Sequence, residues 1–281
     1  MNSCSKSEIR RCRPLLGTFV EITAAGLDEE KLNRAAAAAF AAIDKIQRLM
    51  SAHDPASELS QLNLEAARRP VTVSPETFSV LRRACRLAKV SAGAFDPTIA
   101  PILADWGILP ADLALKETGD WRDVRLLCGR KVRFLRPLAL DLGGIAKGFA
   151  VDAAIKALKR HGVKHAVVNA GGDLRMFGSE PIVVHLRHPA QPQQSASQIE
   201  IREAALATSS PCFTERVIRG RRISHLVQSP GRGAITGALS VTVRARECWL
   251  ADALTKVVLN SPAVADILLA KYRAEAFILT A

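Results

Sequence analysis

Two glycine pairs bracket one helical stretch, and no other feature limits so strongly what this chain can fold into. The segment "LDLGGIAKGFAVDAAIKAL" (140–158) passes from an apolar run ending in Asp141, through Gly143 and Gly144, into an alanine-rich helical pattern that carries Lys147 and Asp152. "NAGGDLR" (169–175) then repeats the order of polar side chain (Asn169), glycine pair (Gly171, Gly172) and acid (Asp173), with Gly171 following Gly143 by 28 residues. Glycines ahead of a helix let the backbone approach a ligand closely, and the first helical turn offers unpaired N–H groups and a positive dipole end to an anion. Lys147 adds a full charge there. The pattern is not G-x-x-x-x-G-K-[ST], because its glycines lie too close together and Gly148 takes the Ser/Thr position, nor is it G-x-G-x-x-G. On the residues alone it is either a phosphate cradle or a tight strand-to-helix turn with a solvated lysine. The two glycine turns either converge on one ligand or are ordinary turns.

Two aspartates extend this reading. Asp141 ends an apolar strand-like run, where an unpartnered carboxylate is costly to bury. Asp252 sits inside the otherwise apolar helical segment "ECWLADALTKVVLN" (247–260), on one face with Thr255 and Lys256. A carboxylate and a hydroxyl at that spacing can hold magnesium, although an Asp and a Lys four residues apart more often form an ion pair.

Charge bears on what such a site would attract. Thirty-nine Lys and Arg against 27 Asp and Glu leave the 281-residue chain at +12, which favours a polyanionic partner. The basic residues are scattered and there is a single tyrosine, so a dedicated nucleic-acid surface, which needs a basic and aromatic platform or a reading helix, is disfavoured. The six cysteines show no C-x-x-C pair and no zinc spacing. No run reaches the ~18 apolar residues of a membrane span. The amino terminus has neither a signal-length apolar core nor apolar residues before Cys4, so as it stands the chain is expected in the cytoplasm, or in the periplasm if a signal preceded it.

Hydrophobic periodicity predicts a strand at 17–26, helices at 28–50, 74–93, 145–162, 247–260 and 262–272, and a short helix after the polar loop at 51–63. It predicts an irregular or short helical connection at 94–107, paired short strands within 131–142, a strand with a glycine turn at 165–178, and strands at 181–187, 197–203, 238–245 and 274–280. Residues 191–197 read as a hairpin tip, and 108–131 has no clear period. The mixture is α+β, with antiparallel strands joined by short turns and helices packed on one side.

In their order and rough spacing, "GTFVEI", "SELSQLN", "GAFDPTIAPIL..W", "LDLGGIAKGFAVD", "VVNAGGDLR", "LATSS", "ISHL" and "ADALTK" resemble the ApbE family, the FAD:protein FMN transferases, over about residues 11 to 260. The resemblance implies a two-layer α+β fold related to the tunnelling fold, formed by residues 11–281 as one domain or two closely packed subdomains, with 1–10 as a tail. It implies an enzyme that binds FAD with magnesium, releases AMP and attaches FMN through a phosphoester to a threonine or serine of another protein. The alternatives are an FAD-binding relative that lacks transfer and a pyrophosphatase giving FMN and AMP.

Carried onto this chain, the resemblance assigns Ser57, Glu58 and Asn63 to the flavin side, with His53 where many members have a tyrosine. It assigns Asp96, Asp141, Gly143, Gly144, Lys147, Asp152, Asn169, Gly171, Gly172, Asp173, Thr208 and Ser209 to FAD binding. His225 is implied as the base toward the acceptor hydroxyl and Asp252 as the catalytic metal carboxylate, with the main-chain oxygen of Ala146 and Thr255 as further metal ligands. Three features depart from the family pattern: Lys256 stands where a threonine is usual, Gln228 or Ser229 stands in place of an acid after His225, and Ser210 replaces a glycine.

Overall fold

The computed structural model describes residues 7–218, 220–229 and 233–281. The chain opens with strands β1 (Ser7–Leu15) and β2 (Thr18–Leu27), then helix α1 (Glu29–Met50). Asp28 caps α1 by accepting from the Lys31 N–H, and a stripe from Leu32 through Ala35, Ala39, Ile43 and Ile46 to Met50 buries one face of the helix. Helices α2 (Glu58–Glu65), α3 (Pro75–Val90) and α4 (Ala100–Asp105) follow, together with a small antiparallel sheet of β3 (Val71–Thr72), β4 (Val124–Leu127) and β5 (Lys131–Phe134).

After helix α5 (Ala146–Arg160) come β6 (His165–Ala170), β7 (Asp173–Phe177), the hairpin of β8 (Ile182–Arg187) and β9 (Ser195–Ile201), and β10 (Ala205–Ser209). The chain closes with the short hairpin β11 (Arg216–Ile218) and β12 (Arg221–Ile223), strand β13 (Leu239–Ala245), helices α6 (Cys248–Asn260) and α7 (Pro262–Tyr272), and β14 (Glu275–Thr280).

Seven strands form one sheet in the order β1-β2-β6-β7-β10-β13-β14, with every neighbouring pair antiparallel. Helices α1, α5 and α6 lie side by side on one face, over β1 and β2, β6 and β7, and β10 and β13 respectively. The β8–β9 hairpin covers part of the opposite face, where Leu186, Ile199 and Ile201 pack on Leu174, Met176 and Leu206. This is the expected antiparallel α+β layering. Helix α6 is apolar almost all round because both the sheet and α5 press on it.

Two expectations are corrected. Residues Ser7–Arg10 belong to β1 rather than to a tail, and residues 1–6 lie outside the described residues. The strand escapes periodicity because it is a sheet edge, guarded by exposed Arg10, Arg11 and Arg13 and by Pro14. Within 131–142 only Lys131–Phe134 is a strand, and its partners are β4, from the stretch without a clear period, and β3.

Candidate active site

The ends of these elements surround a cleft of about 790 Å³. The carboxyl end of α1, the loop 94–99, the 141–147 turn, the end of β10, the residues around His225 and the last turns of α6 supply its walls. Ile99, Leu103, Leu109 and Val227 line an apolar part, whereas Asp141, Lys147, Thr208, Ser209 and Lys256 line a polar part. The cleft is thus apolar in one part and polar in the other, where two ammonium groups face it beside Asp141.

The two glycine turns converge on this cleft. Helix α5 begins at Ala146 without a cap from Ile145, and in its first turn the Ala146 N–H donates to the Leu142 carbonyl and the Gly148 N–H to Asp252. Gly143 and Gly144 both line the cleft, and a Cβ on Gly144 would lie only 3.4 Å from Phe95 and from the Lys256 stem. Between β6 and β7, Gly171 (φ +63°) and Gly172 (φ +104°) form a two-residue turn that needs positive φ at both positions, and Asn169 closes it by accepting from the Gly172 N–H at 3.1 Å. That turn places Asp173 at the start of β7, buried, where Lys147 meets it at 2.5 Å.

Helices α5 and α6 cap each other. Asp252 of α6 accepts from the Gly148 N–H at 3.2 Å, in the first turn of α5. Asp152 of α5 accepts from the Cys248 and Trp249 N–H groups at 3.0 and 2.9 Å, the first turn of α6, and pairs with Arg175. Each carboxylate thereby meets a positive helix end.

Gly148, which the sequence showed only as a departure from the phosphate-loop pattern, makes this contact possible. A Cβ there would lie 2.4 Å from the Cys248 carbonyl oxygen. Its signal was a glycine inside a helical pattern, which usually has a packing reason.

Charge is dense around these caps. Burial raises Asp173 to about 6, and repulsion from Asp252 adds to this against the opposing pull of Lys147 and Lys256. Burial also works to raise Asp252, but Lys256, Lys147 and the Gly148 N–H together bring it below the usual carboxylate range. Lys147 would be lowered by burial alone; Asp173 and Asp252 reverse this and hold it firmly protonated. Burial raises Asp141, with the Gly143 N–H, Lys256 and His53 working against it.

Asp96, Asp141, Gly143, Gly144, Ala146, Lys147, Gly171, Thr208, Ser209 and His225 all line the cleft, as does His53. His225 is exposed after β12, and its pKa is lowered first by partial burial of the ring and then by Arg216 and His53. The remaining assigned residues stand behind the wall. Ser57 caps α2, accepting from the Ser60 N–H. Glu58 accepts from the Ser74 N–H at 3.0 Å and the Ser74 hydroxyl at 2.8 Å, joining α2 to the cap of α3. Asn63 bonds both backbone groups of Leu140 and so anchors the strand-like run before Asp141.

Asn169, Gly172 and Asp173 shape the second turn, and Asp152 caps α6. Thr255 is fully buried: its hydroxyl donates to the Asp252 carbonyl at 2.6 Å and meets Ser209 at 2.7 Å. Asn260, not singled out in the sequence, ties the cleft loops together by donating to the carbonyls of Ala94 and Val227 and accepting from the Ser229 N–H. A lone Asn at the end of a helical pattern reads only as a stop signal.

The magnesium implied by the resemblance does not fit this donor set as it stands. The Lys256 ammonium sits on Asp252 Oδ1 and, at 3.1 Å, on the Asp252 carbonyl, while Thr255 is turned inward. A divalent ion ~4 Å from that ammonium would meet a repulsion of roughly 8 kcal/mol at an effective dielectric of ~20.

Fold and site together define a class: an antiparallel α+β protein with a cleft of about 790 Å³ that is apolar in one part and presents two lysine ammonium groups in the other. The chain belongs to the ApbE family, whose sequence model matches residues 16–278. It is 29% identical over 229 residues to the FAD:protein FMN transferase of Vibrio cholerae, covering 75% of this chain and 69% of that protein. It is 30% identical over 247 residues to the FAD:protein FMN transferase of Treponema pallidum, covering 76% and 68%. The crystal structure of the ApbE protein of Thermotoga maritima superposes with a TM-score of 0.86 at 26% identity, covering 98% of this chain and 94% of that one.

Proposed function

We propose that this chain transfers FMN from FAD to a hydroxyl of another protein, releasing AMP. The observation that carries the reading is the pairing of an apolar pocket with a polar end where Lys147, Lys256 and the glycine turn before α5 converge. The isoalloxazine lies against the apolar wall, and the pyrophosphate lies across the two ammonium groups.

The acceptor Oγ attacks the FMN-side phosphorus, His225 takes the hydroxyl proton, and the phosphorus–oxygen bond to AMP breaks. A phosphodiester forms on the acceptor, and the charge developing on the departing AMP oxygen is met by fixed positive groups already in place. A lowered histidine pKa keeps His225 neutral, as a base must be, at physiological pH. Lys256 occupies the Asp252 oxygens that a magnesium ion would need, so the ammonium groups of Lys147 and Lys256 meet the phosphate charge.

His225 is exposed, so water is a competing nucleophile, and hydrolysis of FAD to FMN and AMP is the second reading. One assay separates the two: AMP release from FAD with and without a threonine-bearing acceptor protein, with flavin on the acceptor followed by in-gel fluorescence. Flavin bound to the acceptor in step with AMP supports transfer. AMP with a bare acceptor supports hydrolysis, and no AMP from bound FAD refutes both.

A further inference from the structure

We infer that Lys256 is the resident cation of the pyrophosphate site, so that FAD binding, in the reading proposed above, needs no divalent metal. Asp252 is 1% exposed and requires a counter-charge. The Lys256 ammonium supplies it from the next turn of the same helix, held by Asp252 Oδ1 and by the Asp252 carbonyl at 3.1 Å.

An ammonium carries three donors. Two are spent on Asp252, and the side chain lines the cleft, so the third is available to a phosphoryl oxygen. The absence of a side chain at Gly144 gives the stem room: a Cβ there would touch Lys256 Cε at 3.4 Å. Lys147 repeats the device from α5, anchored at 2.5 Å on buried Asp173. Each lysine is thus neutralised from behind and presents a donor forward. Such a charge is attached to the chain, cannot be removed by a chelator, and blocks the carboxylate oxygen to which a metal would bind.

The experiment uses the full-length chain and two readouts. FAD affinity is measured by flavin fluorescence in excess EDTA and in millimolar MgCl2. Direct metal uptake is measured from the loss of the free Mn2+ electron paramagnetic resonance signal, with and without FAD. The wild-type chain is expected to bind FAD with the same affinity within about twofold in both buffers and to sequester no Mn2+.

Lys256→Thr should bind FAD at least tenfold more weakly in EDTA, recover on adding Mg2+, and take up about one Mn2+ per chain. Lys256→Arg, which keeps the charge, should remain insensitive to EDTA. Stoichiometric Mn2+ uptake by the wild type overturns the inference, as does a tenfold loss of its FAD affinity in EDTA, or unchanged FAD binding by Lys256→Thr in EDTA. The Mn2+ titration needs no flavin and no turnover, so it decides the role of Lys256 even if AMP release fails and the transferase reading falls.

Discussion

Substituting Gly148 by alanine reverses an ordinary expectation. In an exposed helix interior Gly→Ala stabilises by ~1 kcal/mol. At position 148 the new methyl would lie 2.4 Å from the Cys248 oxygen, 2.6 Å from its carbonyl carbon and 2.8 Å from Trp249 Cα, where ordinary contact begins at 3.4 Å. All three are backbone atoms, so no rotamer change relieves the clash, and α5 and α6 must separate by roughly 1 Å, the difference between 3.4 and 2.4 Å.

That movement stretches the Gly148 to Asp252 bond, already 3.2 Å, and the two Asp152 bonds to the first turn of α6. Overpacking of this kind destabilises by ~1–3 kcal/mol, and weakening a hydrogen bond to a charged group adds ~1.5–3. Against the gain in helix propensity, the expected net loss is about 2–4 kcal/mol. For a chain of 281 residues that lowers Tm by roughly 3–7 °C. Urea unfolding and a thermal melt of Gly148→Ala against the wild type measure it. A variant as stable as the wild type, or more so, would refute the close approach of α5 and α6 and the reciprocal capping built on it.

The other predictions concern the site. His225→Ala should slow transfer by ~10²-fold or more while FAD affinity changes less than threefold, and a large loss of affinity with an intact rate would move His225 to binding. Because the folded environment lowers this histidine below 6.5, its neutral form persists to lower pH, so the acid limb of a pH–rate profile should fall below 6.5; a limb above that value contradicts the role. Lys147→Met should strand the buried Asp173 carboxylate beside Asp252 and destabilise by about 3 kcal/mol, the low end for a buried pair because Lys147 is partly exposed. Adding Asp173→Asn should restore most of that loss in urea unfolding, and no restoration would mean the pair is not the cause. Asp152→Asn should lower stability by about 3 kcal/mol through the α6 cap and the charge left on Arg175, yet leave FAD affinity within threefold; a tenfold weakening would return Asp152 to the ligand.

Much of this was legible in the linear chain. Helices α1, α3, α5 and α6 follow from their apolar spacing and start signals, and β6 and β7 follow from a glycine pair that only a turn with positive φ explains. The short strands β4, β10, β11 and β12 were not legible, because each is only three to five residues long and is fixed by its partner across the sheet. The order of motifs pointed to an FAD site, yet Glu58, Asn63 and Asp152 illustrate a limit of motif reading. A motif gathers residues that touch the ligand and residues that hold those in place, and nothing in the spacing separates them.

The sequence by itself determined the longer elements and the chemical inventory: two glycine turns, two lysines and a set of aspartates, because periodicity and backbone strain are local properties. Only the tertiary structure decided which groups face the cleft and which are spent on one another. Asp252 and Lys256 illustrate this best. One turn apart on a helix, they read more often as an ion pair than as a metal site, and spacing alone excludes neither. Burial of Asp252 against α5 selects the pair, because a carboxylate removed from water takes the cation already held beside it.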